Sequence, residues 1–287
     1  MLMRRILLYL SEAKWARALM THFFLARRVA RRFVAGETLQ EAIDATRKLN
    51  AAGLAVTLDY LGESVTREDE THEVVAMYRQ MIDAITRHNL NASVSLKLTQ
   101  LGLDISEALC VANMRHILTA ARDAGQVPVT IDMESSKYTE VTLRIYRTLR
   151  DEYDFKNVGT VIQSYLRRSA EDMRQLADEG AHIRLVKGAY LEPPTLAFPD
   201  KADVDAEFVR ITEAYLPAPA PAYLCVASHD EQMIQATERA AQRLNVPRDR
   251  YEFQMLYGIR TARQTELAAA GYTMRVYVPF GVTWYPY

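Results

Sequence analysis

Polar and charged side chains stand at the end of every apolar segment of this sequence that could form a buried strand. They are Asp59, Lys97, Asp132 with Glu134, Gln163, Arg184 with Lys187, Ser228 with His229, Gln254 and Tyr277. Polar groups on buried strands cost free energy unless they are paired or used, so eight such ends in succession indicate a site. Cations, amides and aromatic rings together suit a large anionic, planar ligand that carries a diphosphate and a heteroaromatic ring.

Two other chemistries fit these residues less well. Lys97 and Lys187 could each form a Schiff base, but nothing in the sequence isolates either amine in the apolar pocket that would activate it. Among the six histidines only His229 stands at a strand end, and neither His-x-x-x-His nor Cys-x-x-Cys occurs. We therefore expect no metal site.

Helical patterns alternate with the apolar segments. A capping box, Thr38-Leu39-Gln40-Glu41, begins a helix that ends at Gly53, and the first strand follows at once. The same couplet recurs, which predicts eight strands at 54–59, 92–98, 127–133, 158–163, 183–187, 222–227, 251–255 and 274–278. Apolar strands joined by helices indicate a covered parallel sheet, and eight units are the number that closes a TIM-like (β/α)8 barrel. The strand ends would then meet at one mouth, where barrel enzymes have their active sites.

A doubly wound open sheet is the structural alternative. Against it, the eleven glycines contain no Gly-x-Gly pair, and no phosphate loop ending in Gly-Lys-Ser/Thr occurs. Because 35 Lys and Arg nearly balance 36 Asp and Glu, the overall charge indicates no nucleic-acid partner. No segment is long and apolar enough for a membrane span or a secretory signal. Cys110 and Cys225 lie in apolar segments, so we expect reduced, buried thiols and a cytoplasmic protein.

The first 33 residues differ from the rest in charge. They carry eight basic side chains and one acid, Glu12, and their apolar residues recur at helical spacing. This pattern fits a helix packed on the protein with a solvated basic face, and it also fits a basic amphipathic helix on an anionic membrane surface. We therefore predict an N-terminal helical arm over 1–36 and a catalytic barrel domain over 37–287.

Several segments together resemble the bacterial monofunctional proline dehydrogenases. They are Ser95-Leu96-Lys97-Leu98-Thr99-Gln100, Ile131-Asp132-Met133-Glu134, Val161-Ile162-Gln163-Ser164-Tyr165, Arg184-Leu185-Val186-Lys187-Gly188-Ala189-Tyr190, Ser228-His229-Asp230 and Glu252-Phe253-Gln254-Met255-Leu256-Tyr257-Gly258. The resemblance runs in order from about Gly36 to Tyr287. It implies a distorted (β/α)8 barrel, FAD as the cofactor, and oxidation of L-proline to Δ1-pyrroline-5-carboxylate with electrons passed to a membrane quinone. It also gives the N-terminal arm a reason to contact the inner face of the membrane.

The resemblance also implies roles for individual residues. Asp132 and Arg184 would be catalytic, with Arg184 beside the flavin N5, where a fixed cation stabilises developing charge. The other cofactor-binding residues would be Met133, Gln163, Lys187, Gly188, Ala189, Ser228 and His229. The substrate would contact Lys97, Leu185, Tyr190, Tyr277 and Tyr287, and Glu63 resembles the acid of an active-site gate.

The sequence departs from the family pattern at its end. The family's eighth helix carries two consecutive arginines that hold the substrate carboxylate, and it begins where this sequence stops, after a tyrosine that matches Tyr287. We therefore expect the final helix to be missing and Glu63 to lack its gate partner. Charge-assisted hydrogen bonds from such a clamp are worth several kcal/mol, so we predict that the chain binds FAD and that loss of the clamp weakens substrate binding and turnover.

Two alternatives therefore stay open beside the oxidation of proline. One is another flavin barrel oxidoreductase of the folate-reductase type, which would be reduced by NADH. The other is a truncated barrel that binds FAD but turns over poorly.

Overall fold

The computed structural model describes residues 32–283, and in it eight parallel strands form a closed barrel in sequence order, with the last strand paired to the first. The strands are β1 (Ala55–Tyr60), β2 (Ala92–Leu96), β3 (Val129–Ile131), β4 (Val158–Gln163), β5 (His182–Val186), β6 (Tyr223–Ala227), β7 (Tyr251–Leu256) and β8 (Met274–Phe280). This confirms the predicted barrel and all eight strands, and the alternative of an open doubly wound sheet is wrong. The largest difference is at β3, which is shorter than the predicted segment 127–133.

Helices cover the outside of the barrel. They are α1 (Leu39–Ala51), α2 (Glu68–Arg87), α3 (Glu107–Asp123), α4 (Ser136–Arg147), α5 (Ser169–Asp178), α6 (Lys201–Tyr215), α7 (Glu231–Arg243) and α8 (Thr261–Ala269). The first, α1, precedes β1 and packs against β1 and β8, and each of the others follows one of the first seven strands. Only residues 281–283 are described after β8, so the prediction that the final helix is missing stays a prediction.

Local sequence signals fix several helix starts. The Thr38 side chain accepts a hydrogen bond from the Glu41 amide, and the Glu41 carboxylate accepts one from the Thr38 amide, so the predicted capping box is confirmed. Ser106 caps α3 by accepting from the amide of Leu109. A cap of this kind supplies a partner for amide groups that the helix itself cannot satisfy, and it stabilises the helix by about 1 kcal/mol.

The hydrophobic core lies between the strands and the helices. Tyr78, Tyr146 and Phe208 project from the helices and are fully buried there, and Phe253 and Phe280 are fully buried on strands. The strands themselves are buried along nearly their whole length, which is typical of a parallel sheet that is covered on both faces. This packing holds the carboxyl ends of the strands in fixed positions.

The N-terminal region is described only from residue 32. Residues 32–36 form no helix, and the amide of Ala35 donates to the Pro279 carbonyl at the end of β8. The rest of the predicted basic arm and Tyr287 lie outside the described residues, so the domain boundary at residue 36 stays a prediction. In the described part of the chain, no helix has the length and apolar character needed to cross a lipid bilayer.

Candidate active site at the barrel mouth

Three residues from separate strands join in one cluster at the carboxyl ends of the strands. Arg184 of β5 donates from Nη1 to Oδ1 of Asp132, which follows β3, at 2.5 Å. The hydroxyl of Tyr277, on β8, donates to the other oxygen of Asp132 at 2.7 Å. The Arg184 guanidinium also lies over the Tyr277 ring, 5.1 Å from its centre. Because the Arg184 side chain is only 5% exposed, this cation is held in a largely water-free position.

Two further contacts fix the orientation of the Arg184 guanidinium. Its Nε donates to Oε1 of Gln254 at 2.6 Å, and its Nη1 donates to the hydroxyl of Ser95 at 3.0 Å. Among residues 32–283 the third nitrogen, Nη2, has no hydrogen-bond partner. A buried guanidinium normally has its donors satisfied, so Nη2 is available to an anionic or electron-rich group in the mouth.

Asp59 and Lys97 form a second charged pair beside this cluster. Lys97 Nζ lies 3.8 Å from Oδ2 of Asp59, whose side chain is fully buried. Burial raises the pKa of Asp59 to about 6, against the lowering effect of Lys97, and Asp132 raises it further. Burial lowers the pKa of Lys97, but the surrounding carboxylates, Asp59 first and then Asp132, raise it more, so the ammonium stays charged.

Glu134 and Gln163 connect the ends of β3 and β4. The hydroxyl and the amide of Thr99 both donate to the Glu134 carboxylate, at 2.7 and 3.2 Å. Gln163 donates from its side-chain nitrogen to the Glu134 carbonyl at 2.8 Å. Burial raises the pKa of Glu134, although the two bonds from Thr99 oppose this. Gln163 therefore lies at the mouth, as the sequence predicts, and is held in one orientation.

The remaining residues with predicted contacts to the substrate, the cofactor or the gate differ in their exposure. Tyr190 is half-buried, and burial together with the nearby charges of Glu63 and Glu134 raises the pKa of its hydroxyl. Glu63 is exposed and, within the described part of the chain, forms no ion pair within 4 Å. Met133 and Leu185 are both buried in the main core cluster, and their predicted contacts with cofactor and substrate stay predictions.

The loop after β5 places its glycine against an aromatic ring. Gly188 has φ +114°, and a Cβ on it would lie 2.3 Å from Cδ1 of Tyr165. Only glycine fits such a close approach with this backbone conformation. Lys187, on one side of the glycine, is paired with Asp205 and Asp230 at 2.5 and 2.7 Å. The predicted cofactor-binding segment from Lys187 to the exposed Ala189 is thus an irregular loop that directly follows β5.

Ser228 and His229 lie at the end of β6, next to this loop. The hydroxyl of Ser228 accepts from the Asp230 amide at 3.1 Å, and Nε2 of His229 accepts from the Leu256 amide at 2.9 Å. Burial and the nearby Arg260 both lower the pKa of His229, so its ring is neutral. Because Nε2 accepts a hydrogen bond, the ring proton belongs on Nδ1, which leaves His229 with one donor for a ligand.

The arrangement fits a flavin dinucleotide. The free Nη2 of Arg184 can face an electron-accepting ring, and the loop at Gly188 allows the backbone to approach a long ligand closely. Further round the mouth, Ser228 and His229 offer neutral donors of the kind that bind phosphate and sugar oxygens. Within residues 32–283 no group of three or more His, Cys, Asp or Glu side chains is placed to hold a metal ion.

The structure therefore brings most of the predicted site residues to one end of the barrel, with Tyr287 outside the described residues. Sequence reasoning missed two inner residues, Ser95 and Glu252, and gave no role to Asp59 or Gln254 at their strand ends. Gln254 and Glu252 are two positions apart on β7, and this alternation is the signal for side chains that share the inner face of a barrel.

Comparisons with known proteins agree with this picture. The family model described as Proline dehydrogenase matches residues 42–284. Proline dehydrogenase 1 of Bacillus subtilis is 44% identical over 290 residues, covering 100% of this chain and 93% of that protein. Proline dehydrogenase of Deinococcus radiodurans is 42% identical over 262 residues, covering 90% of this chain and 84% of that protein.

Solved structures show the same barrel. A crystal structure of proline utilization A (PutA) from Bdellovibrio bacteriovorus, inactivated by N-propargylglycine, superimposes with a TM-score of 0.83 at 27% identity. The match covers 91% of this chain but only 32% of that PutA chain. This chain therefore corresponds to about a third of that longer protein.

Proposed function

Because the chain belongs to the proline dehydrogenase family, we propose that its barrel mouth binds FAD and oxidises L-proline to Δ1-pyrroline-5-carboxylate. The observation that carries this proposal is the joined cluster of Arg184, Asp132 and Tyr277, in which the guanidinium has one nitrogen, Nη2, without a hydrogen-bond partner among residues 32–283. A bound flavin supplies the acceptor for a hydride, which no amino-acid side chain can provide. The protein supplies orientation, charge and exclusion of water.

The charged residues of the mouth fit an amino-acid substrate. Lys97 is a charged ammonium within reach of the opening, and we assign it to the carboxylate of proline. The secondary amine must bind in its neutral form, because its lone pair has to assist loss of hydride from the adjacent C5 carbon. Asp132, held by Arg184 and Tyr277, keeps the charge of the mouth balanced beside that amine. Tyr190 and Tyr277 would enclose the ring and keep water out.

The cofactor would extend from Arg184 towards β6. Gln163 and Met133 are proposed to contact the ring system, and Lys187 with the loop at Gly188 and Ala189 to follow the chain of the cofactor. Ser228 and His229 are proposed to bind its diphosphate and adenosine part. A hydroxyl at residue 228 and a neutral imidazole at 229 support this assignment, since both groups can donate hydrogen bonds to phosphate and sugar oxygens.

An anaerobic titration of the flavin spectrum tests the proposal. After reconstitution with FAD, L-proline should bleach the flavin absorption, whereas NADH should not. Bleaching by NADH instead of proline would contradict the proposal and favour a folate-reductase type of activity. A yellow protein that neither compound bleaches would indicate a barrel that binds FAD without turnover. Arg174→Met, which removes an exposed arginine of α5, is a matched control for substitutions at Arg184.

An inactivator offers a second, independent test. The Bdellovibrio relative was inactivated by N-propargylglycine, so we expect this reagent to inactivate this chain as well. The loss should be irreversible on gel filtration, and L-proline present in excess should slow it by competing for the mouth. Inactivation at the same rate with and without proline would place the reaction elsewhere.

We also propose that the electrons pass to a membrane quinone and that residues 1–33 contact the lipid surface. The excess of arginine in that segment supports attraction to anionic lipid. Sedimentation with vesicles should therefore depend on their anionic lipid content and weaken at high salt. Replacing Arg27, Arg28 and Arg31 with glutamate should abolish it and slow quinone reduction on vesicles, while leaving reduction of a water-soluble dye unchanged. Equal sedimentation of the variant would refute the lipid contact.

A further inference from the structure

A line of buried polar side chains continues from Arg184 into the interior of the barrel. Gln254 accepts from Nε of Arg184 at 2.6 Å and donates from its own Nε2 to Oε1 of Glu252, also at 2.6 Å. Arg275 of β8 donates to both oxygens of Glu252, at 2.6 and 3.1 Å. The chain of contacts therefore runs from the mouth to the middle of the barrel through β5, β7 and β8.

The inner end of this line is ionised and fixed. Burial alone would raise the pKa of Glu252, but Arg275 lowers it more, so the pKa lies below its usual range and the carboxylate is charged. Arg275 is itself fixed, because its Nη1 donates to the Val56 carbonyl at 2.9 Å and contacts the hydroxyl of Ser93 at 3.4 Å. Tyr223 adds a longer hydrogen bond to Glu252 at 3.3 Å. Glu252 is thus a rigid acceptor.

A charged carboxylate on one side allows only one orientation of the Gln254 amide. Its NH₂ group must face Glu252, since a carboxylate only accepts hydrogen bonds, and its oxygen must then face Arg184. A flipped amide would place its oxygen against the carboxylate and its NH₂ group against the N–H of Arg184. Gln254 is 4% exposed, so water could not compensate for either clash.

We propose that Gln254 is a positioning residue for Arg184, oriented in turn by the Glu252–Arg275 pair; the consequence for catalysis rests on the function proposed above. Gln254 holds Nε while Asp132 and Ser95 hold Nη1, so that the plane of the guanidinium is fixed and the position of Nη2 is fixed with it. Without Gln254 the guanidinium can turn about its contact with Asp132. A cation displaced by about 1 Å from a reacting centre can slow the reaction by about 100-fold.

The decisive variant is Gln254→Met, which keeps the length of the side chain and removes the acceptor. We expect reduction of bound FAD by saturating L-proline to slow by about 10- to 100-fold, while the Kd for proline changes less than threefold. The second measurement needs no turnover: exchange of the Arg184 Nε–H with solvent, followed by NMR on the full chain with and without FAD. This signal, assigned by its loss in Arg184→Lys, should exchange slowly in the unmodified protein and at least tenfold faster in Gln254→Met.

Two further variants separate positioning from general stability. Asn157→Leu removes a buried amide that donates to the Val127 carbonyl at 3.0 Å, at the amino end of β4 and far from the mouth. It should lower the melting temperature without changing flavin reduction or the exchange of Arg184. Compared with Gln254→Met, Gln254→Glu should restore the rate of flavin reduction and the slow exchange of the Arg184 Nε–H. The reason is that a protonated carboxyl can donate to Glu252 and still accept from Arg184.

The outcomes are distinct. Slow exchange of the Arg184 Nε–H retained in Gln254→Met would overturn the proposal, because that variant lacks the acceptor. If the methionine variant does not fold, Gln254→Glu decides: slow exchange would support the proposal, because the acceptor is present, and fast exchange would overturn it. Equal slowing of flavin reduction in Asn157→Leu and Gln254→Met would overturn it by showing a general stability effect. Failure of L-proline to reduce the unmodified protein would refute the proposed function, whereas the exchange measurement would still decide whether Gln254 positions Arg184.

Discussion

Asp59→Asn should change how the stability of the protein depends on pH. The Asp59 carboxyl is fully buried, with Lys97, Asp132, Arg184 and Tyr277 as the titratable groups around it, and its pKa is about 6 in the folded chain against an ordinary value of 3.8. A carboxyl with a raised pKa binds its proton more tightly in the folded state, so stability is greatest below the unfolded pKa and falls as pH rises towards the folded one. Each tenfold difference in proton affinity is worth about 1.4 kcal/mol, which gives about 3 kcal/mol in total.

Most of that loss falls in an accessible range of pH. From the two pKa values, Asp59 should remove about 2 kcal/mol of unfolding free energy between pH 4.5 and pH 8. Asparagine cannot ionise, so the variant should lack this loss and gain about 2 kcal/mol on the unmodified protein over the same interval. Urea denaturation of both flavin-free proteins, at half-unit steps of pH, measures the difference. Any constant cost of the amide cancels in this comparison.

Asp69→Asn is the matched control. Asp69 is an exposed carboxyl paired with Arg67, whose hydrogen bonds lower the pKa of Asp69. Its contribution therefore runs in the opposite direction, being lost as pH falls, and it should be small because solvent screens the pair. If the stability curves of Asp59→Asn and the unmodified protein stay parallel from pH 4.5 to 8, burial does not raise the pKa of Asp59 and the reasoning is wrong.

Three other substitutions or reactions have definite expected outcomes. Gly188→Ala should destabilise the protein by on the order of 3 kcal/mol and weaken FAD binding, because φ +114° disfavours alanine and its methyl group would overlap the Tyr165 ring. An unchanged melting temperature and an unchanged Kd for FAD would contradict this prediction. Arg184→Met should slow flavin reduction by at least about 100-fold and lower the free energy of unfolding by about 3 kcal/mol, since it leaves the Asp132 carboxylate without its buried partner. Stopped-flow absorbance measures the first effect and urea denaturation the second. A normal rate of flavin reduction would remove Arg184 from its role. The thiols of Cys110 and Cys225 are buried, and burial raises the pKa of each. A thiol reagent should therefore react with both cysteines only when the protein unfolds. Rapid reaction of the folded protein would contradict this by showing that a thiol is accessible.

Much of the site could be predicted because a parallel barrel follows from periodicity. Once eight apolar segments alternate with helices, each carboxyl end must lie at one mouth, and this places Asp132, Arg184 and Tyr277 in the same region before any contact is known. These are consequences of local pattern and of one topology.

The pairing of these residues could not be predicted in the same way. Arg184 and Asp132 are 52 positions apart, and Tyr277 and Asp132 are 145 apart, so their hydrogen bonds depend on the stagger of the closed sheet. Glu252 and Arg275 illustrate the same limit: in the sequence they are ordinary charged residues on strands, and only the barrel interior makes them partners. Their strong effect on one another is a consequence of burial together.

The amino-acid sequence by itself determined the number and order of strands, the capped start of α1 and the polar character of every strand end, because hydrophobic periodicity and capping are local. The tertiary structure decided which polar side chains turn inward, which side chains hold Nε and Nη1 of Arg184, and why the pKa of Asp59 is raised to about 6. Those properties arise from distances between groups on different strands and from the exclusion of water around them, and neither quantity exists until the barrel closes.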